Sequence, residues 1–129
     1  MAVKANITID QGTDFDATID LTNSSGGPVD LTDYVIKSQM RKNYATETAA
    51  ATFQTSHNSV GGQITISLPK SDYTEGTDPI ITHSGTTSLE PGRYLYDVEI
   101  TEPAVGQTPG QTTRVVQGTA TVTPGITRI

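Results

Sequence analysis

A chain of 129 residues with no cysteine and a formal net charge of −6 has neither a disulfide framework nor a thiolate metal site. The eight Lys and Arg are scattered, so the clustered cations that phosphate binding requires are missing and no nucleic-acid partner is expected. A single domain, residues 1–129, that folds by packing alone and buries roughly two-thirds of its unfolded surface is expected at this length.

Ser and Thr are plentiful, Trp is absent, and Gly and Pro recur at short intervals, a composition of strands and turns. Met1-Ala2-Val3-Lys4-Ala5-Asn6 carries no apolar run that reads as a signal peptide, and no stretch is apolar over a membrane-spanning length. The expectation is synthesis in the cytoplasm without signal-peptide secretion, and no membrane partner.

Residues 3–10 alternate, with Val3, Ala5, Ile7 and Ile9 on one side, and predict a first strand. After Gln11-Gly12-Thr13 turns the chain, Phe15, Ala17, Ile19 and Leu21 alternate with Asp14, Asp16, Thr18 and Asp20. This second strand has an acidic outer face. Asn23 to Pro28 is a reversal, and Asp30 and Asp33 are expected to pin a bend through bonds to nearby amides.

In the third strand Tyr34, Ile36, Ser38 and Met40 share a face. Residues 51–55 give a short fourth strand near an edge, with weaker support for a helix over 45–51. Ile64, Ile66 and Leu68 mark a compact fifth strand ended by Pro69. One helical turn is expected over 70–76 with Ser71 as N-cap. Residues 77–88 carry Ile80 and Ile81 without periodic support, and so long an unpatterned stretch is either functional or pinned.

The clearest alternation is Gly92-Arg93-Tyr94-Leu95-Tyr96-Asp97-Val98-Glu99-Ile100-Thr101. It predicts a central strand with Tyr94, Tyr96, Val98 and Ile100 in the core. A last strand over 112–123 puts Val116, Gly118, Ala120 and Val122 on one face. About seven short strands with turn signals between them predict an all-β, antiparallel, immunoglobulin-like sandwich. Tyr94, in a Gly-x-Tyr that opens a late strand, is the candidate tyrosine corner, although the usual cysteine pair and core tryptophan are missing.

Chemistry-bearing residues do not converge. His57 and His83 are the two histidine bases available, both in stretches read as polar loops, and neither has zinc-ligand spacing. Asp14, Asp16 and Asp20 form the best cation candidate, but strand spacing sets Asp14 and Asp16 about 7 Å apart, too far for one ion to collect all three without loop ligands. A solvated acidic face or a contact surface for a basic partner fits them better. Asp72, Glu75 and Asp78 lack EF-hand spacing, and Tyr34, Tyr44 and Tyr73 are the candidate surface rings for a carbohydrate platform. No catalytic residue, enzyme activity, metal or cofactor is expected.

Several motifs, taken together, resemble those of small virion proteins of tailed bacteriophages, above all the amino-terminal domain of baseplate upper proteins and related tail or neck modules. They are Ile7-x-Ile9 with Gly12 and Phe15, Ile19-x-Leu21, Gly27-Pro28-Val29-Asp30-Leu31-Thr32, and Arg41-Lys42. Gly62-x-Ile64 with Leu68, Gly92-x-Tyr94-x-Tyr96-Asp97-Val98-Glu99-Ile100, and Gly118-x-x-x-Val122-x-Pro124-Gly125-Ile126-Thr127-Arg128 complete the set. The resemblance implies a noncatalytic structural subunit in many copies on a tail, baseplate, neck or capsid, with other phage structural proteins or its own copies as partners. Baseplate upper proteins continue into further domains, so a stand-alone adaptor or capsid decoration protein also fits.

On this reading assembly works by surface complementarity, with edge strands and pinned termini extending a neighbour's sheet. The segments expected to act are 1–6, 77–88 and 124–129, and the candidate interface residues are Asp14, Asp16, Asp20, Ile80, Ile81 and Arg128. The alternative is a carbohydrate- or calcium-dependent ligand-binding module used in host adsorption.

Overall fold

The computed structural model describes residues 3–23, 25–43, 45–46, 48–58 and 60–125. Eleven strands follow in order: β1 (Val3–Lys4), β2 (Ile7–Asp10), β3 (Phe15–Asp20), β4 (Val35–Arg41), β5 (Ala51–Thr52), β6 (Gln54–Asn58), β7 (Gln63–Leu68), β8 (Tyr73–Glu75), β9 (Ile81–His83), β10 (Gly92–Thr101) and β11 (Thr112–Thr123). The fold is all-β; among the described residues there is no α-helix, and no helix long and apolar enough to cross a membrane.

The larger sheet is ordered β1, β11, β10, β4, β5, with β2 also on β11. Its alternation is that of the sequence: Tyr94, Tyr96, Val98 and Ile100 of β10 are buried, as are Ile36, Ser38 and Met40 of β4 and Val116, Ala120 and Val122 of β11. The expected all-antiparallel arrangement is corrected here. β1 and β2 run parallel to β11, so this sheet is mixed. The two strands share one register, Val3 opposite Val116 and Ile7 opposite Ala120, and are one segment interrupted at Ala5 and Asn6. At the interruption the Tyr96 hydroxyl donates to the Ala5 carbonyl at 2.6 Å, and Asn6 Oδ1 accepts from the Thr119 amide at 3.1 Å. The Ala5 amide also donates to the Gln117 carbonyl at 3.0 Å, so both backbone groups of Ala5 are paired across the break.

The expected fourth strand is two strands. β5 pairs with β4 in the larger sheet, and β6 pairs with β7 in a three-stranded sheet ordered β3, β7, β6. Phe53 is the point of transfer. Its amide donates to the Ser38 carbonyl at 2.9 Å, and its ring, 3% exposed, meets Phe15 at 6.0 Å and Tyr96 at 6.3 Å between centroids. Edge strands that change sheets in this way join two layers over one core.

That core is one cluster fed from both sheets: Ile64, Ile66 and Leu68 of β7 pack with Met40, Val98, Val116 and Ile9, and Phe15, Ala17 and Ile19 of β3 join from the side. The Tyr94 hydroxyl donates back to the Glu90 carbonyl at 2.7 Å, and Lys42 Nζ lies 4.7 Å from its ring centroid. This is the bond expected of a tyrosine corner.

Two local expectations fail. Residues 73–75, placed in a helical turn, form β8, because Tyr73, Thr74 and Glu75 find antiparallel partners in His83, Thr82 and Ile81. Ser71 therefore caps no helix; beside it Asp72 Oδ1 accepts from the Gly85 amide at 2.9 Å and the Ser88 hydroxyl at 2.6 Å, a tie across the loop. Among the described residues helical geometry appears instead as one 3-10 turn at Thr86–Ser88. None of the described residues in 45–51 is helical.

Candidate functional site

Strand pairing places the outward side chains of β4, β10 and β11 in cross-strand rungs. Arg41, Leu95 and Thr119 form one rung, Gln39, Asp97 and Gln117 the next, and Lys37, Glu99 and Arg114 the third. Over this face lies a groove of about 1010 Å³.

The third rung depends on an irregularity that alternation alone does not reveal. Val98 faces Val116 but Glu99 faces Arg114, so Val115 is an extra residue on β11. Unbroken alternation would give Arg114 the parity of buried Val116. The bulge lets Val115 and Val116 both pack toward the core and turns Arg114 outward beside Gln117. There Arg114 Nε donates to Asp97 Oδ2 at 3.0 Å and an Nη donates to Gln117 Oε1 at 3.3 Å. Across the floor, an Arg41 Nη donates to Gln39 Oε1 at 2.9 Å, and Gln39 Nε2 donates to Thr52 Oγ1 at 3.3 Å. The side chains of the middle rung are held before any ligand arrives.

One wall is the β8–β9 hairpin, which contributes Tyr73, Thr74, Glu75 and His83. The Tyr73 hydroxyl donates to the Thr52 carbonyl and ties the hairpin to β5. Burial, then the nearby Glu75 carboxylate, raises the Tyr73 pKa. His83 Nε2 lies 2.9 Å from Glu75 Oε2, and its ring sits 4.9 Å from that of Tyr73. Both histidines thus stand in strands rather than in the loops expected: His57 is half-buried on β6, and His83 is half-buried on β9.

The candidate interface residues separate. Asp14 accepts from the Lys70 amide at 2.7 Å and so ties the end of β7 to the start of β3. Asp16 and Asp20 are exposed on the outer face of β3, opposite Ser67 and Gln63. Among the described residues no group of three His, Asp or Glu is placed to hold a metal ion. Ile80 and Ile81 are 64% and 51% exposed at the turn of the β8–β9 hairpin. Arg128 lies outside the described residues, as do Met1 and Ala2 of the amino-terminal segment, residues 126–129 and Tyr44.

Tyr34 packs half-buried against the core rather than standing at the surface, and Tyr73 is half-buried in the groove wall. Asp30 forms the expected bend, accepting from the Thr32 hydroxyl at 2.6 Å and the Thr32 amide at 3.0 Å; the hydroxyl first, then the amide, lowers its pKa. The second half of 77–88 is pinned: the Thr86 amide donates to the Pro69 carbonyl at 2.9 Å, and the buried Thr86 hydroxyl donates to the Thr13 carbonyl at 2.6 Å. The groove itself escaped sequence reasoning. Its one local signal is the pair of β-favouring triplets Tyr73-Thr74-Glu75 and Ile81-Thr82-His83 around Gly76 and Pro79, a hairpin pattern.

No family model, no curated protein and no solved structure matches this chain.

Proposed function

We propose that this protein is a noncatalytic structural component of a tailed-phage virion, docked in the tail, baseplate or neck or on the capsid surface. The setting rests on the sequence motifs described above. An immunoglobulin-like body is part of the proposal, supported by two sheets that share a core and by the bond from Tyr94 to Glu90.

The observation that carries docking is the β8–β9 hairpin. Among the described residues it pairs only with itself, and Ile80, before β9, and Ile81, its first residue, are both exposed. Two-stranded hairpins have little stability of their own, and this one is fastened at its base by Tyr73 and Asp72, which leaves its apolar turn projecting. An apolar finger on a rigid base suits insertion into a partner surface. Multiple copies of the chain then repeat the contact around a symmetric particle.

The test is co-sedimentation of the purified protein with phage tails, baseplates and capsids, alongside an Ile80→Ser/Ile81→Ser variant. The parent is expected to travel with one of these and the variant to stay free while melting at the parent's temperature. A variant that still co-sediments overturns the hairpin contact, and a parent that joins none of the three overturns the virion setting.

A further inference from the structure

We infer that the groove over β4, β10 and β11 is a second binding site, and that it takes a neutral oligosaccharide. Charge balance supports this first. The groove is lined by three cationic side chains, Lys37, Arg41 and Arg114, and three acidic ones, Glu75, Asp97 and Glu99, in a chain whose formal net charge is −6. A polyanion or polycation would meet as much repulsion as attraction there. An uncharged polar ligand meets neither.

The chemistry of the middle rung supports it next. Gln39, Asp97 and Gln117 set two amides around a carboxylate in a row across three strands; the amides both donate to and accept from vicinal hydroxyls, and the carboxylate accepts from them. Arg114 and Arg41 fix this rung from either end, so little side-chain freedom remains to be lost on binding. Sugar rings also present apolar C–H faces. Leu95 on the floor, Val35 at the rim, 52% exposed, and Tyr73 in the wall offer surfaces for them.

The bulge at Val115 strengthens the case. Bulges often occur where a strand must re-aim a side chain at a site, and this one turns Arg114 onto the groove side of β11. The groove reaches the upper end of the ~300–1,000 Å³ range of ligand sites, room for more than a monosaccharide. This inference is independent of the virion setting, because the hairpin turn at Ile80 and Ile81 is not part of the groove lining.

The test is an array of neutral oligosaccharides of hexoses and N-acetylhexosamines, with sialylated and sulfated counterparts, probed with the full chain. Bound neutral glycans are then titrated into labelled protein while amide shifts are followed. Neutral glycans are expected to bind, to shift amides of β4, β10 and β11, and to lose at least tenfold in affinity in each of Gln39→Ala and Gln117→Ala. The Ile80→Ser/Ile81→Ser variant is expected to bind them as the parent does. An array without neutral hits, binding confined to acidic glycans, shifts mapping elsewhere, or undiminished affinity in both glutamine variants would each overturn the site.

Discussion

The hydroxyl of Tyr96 donates to the carbonyl of Ala5 at 2.6 Å across 91 residues of sequence. Between them lies Gly118, the β11 partner of Tyr96. A Cβ on Gly118 would stand 2.0 Å from the Ala5 oxygen. The tyrosine therefore secures the amino-terminal strand through a gap that only glycine leaves open.

Tyr96→Phe keeps the ring in the core but leaves the Ala5 carbonyl without its donor. The expected loss is about 1–2 kcal/mol. Urea denaturation measures it, and hydrogen exchange should show amides of β2 losing protection before those of β10. Uniform loss across both strands would mean that the bond does not govern this edge.

Gly118→Ala is predicted to cost more, about 3–5 kcal/mol, because the clash is with backbone and no rotamer relieves it. Gly12→Ala is the useful contrast. Its Cβ meets nothing within 4 Å, although its φ of 85° carries some strain. Thermal melts of the two variants should differ clearly, with Gly118→Ala the lower.

Alkaline pH should unfold the protein through its tyrosines. Burial raises the pKa of Tyr73, Tyr94 and Tyr96, with the Glu75 and Glu90 carboxylates adding to the first two. The unfolded chain therefore loses these protons first, near pH 10, and stability falls as pH rises from there through the folded values. Phenolate absorbance followed together with circular dichroism should show these ionisations accompanying unfolding.

Acid should act elsewhere. The Ser88 hydroxyl, then the Gly85 amide, lowers the Asp72 pKa. The stabilisation is present above an ordinary aspartate pKa of about 3.9 and is lost as pH falls through the lower folded value. The Gly85 amide resonance should move with that titration, and Asp72→Asn should abolish the movement while leaving the core resonances in place.

Deleting Val115 removes the bulge. In the resulting strand Arg114 directly precedes Val116, keeps its outward parity and stays opposite Glu99 in a regular ladder, while the core loses the packing of Val115. The expected result is a modestly lower melting temperature from the lost Val115 packing, with amide protection kept at Glu99–Thr101. Loss of protection there would mean that the bulge itself holds the end of β10 to β11.

Strands were legible where period-two alternation, a local property, runs over six residues or more. The inward faces of β3, β4, β7 and β10 follow from it, as do the buried Tyr94 and Tyr96, while the Asp30 bend follows from an aspartate bonding to an amide two residues on. The β8–β9 hairpin was lost because three-residue strands are too short for alternation to outweigh an apparent N-cap at Ser71. The acidic stripe was legible as a face of β3. Nothing local showed that Asp14 would bond to Lys70 across 56 residues and leave the stripe.

By itself the sequence determined which segments extend, where they turn and which side of each meets the core, since these follow from side-chain parity and turn residues. Tertiary structure alone decided which strands became neighbours. Partner choice depends on the packing of residues far apart in the chain. That packing set β1 and β2 parallel to β11, moved the chain between sheets at Phe53, and placed the bulge at Val115 that brings Arg114 to Asp97.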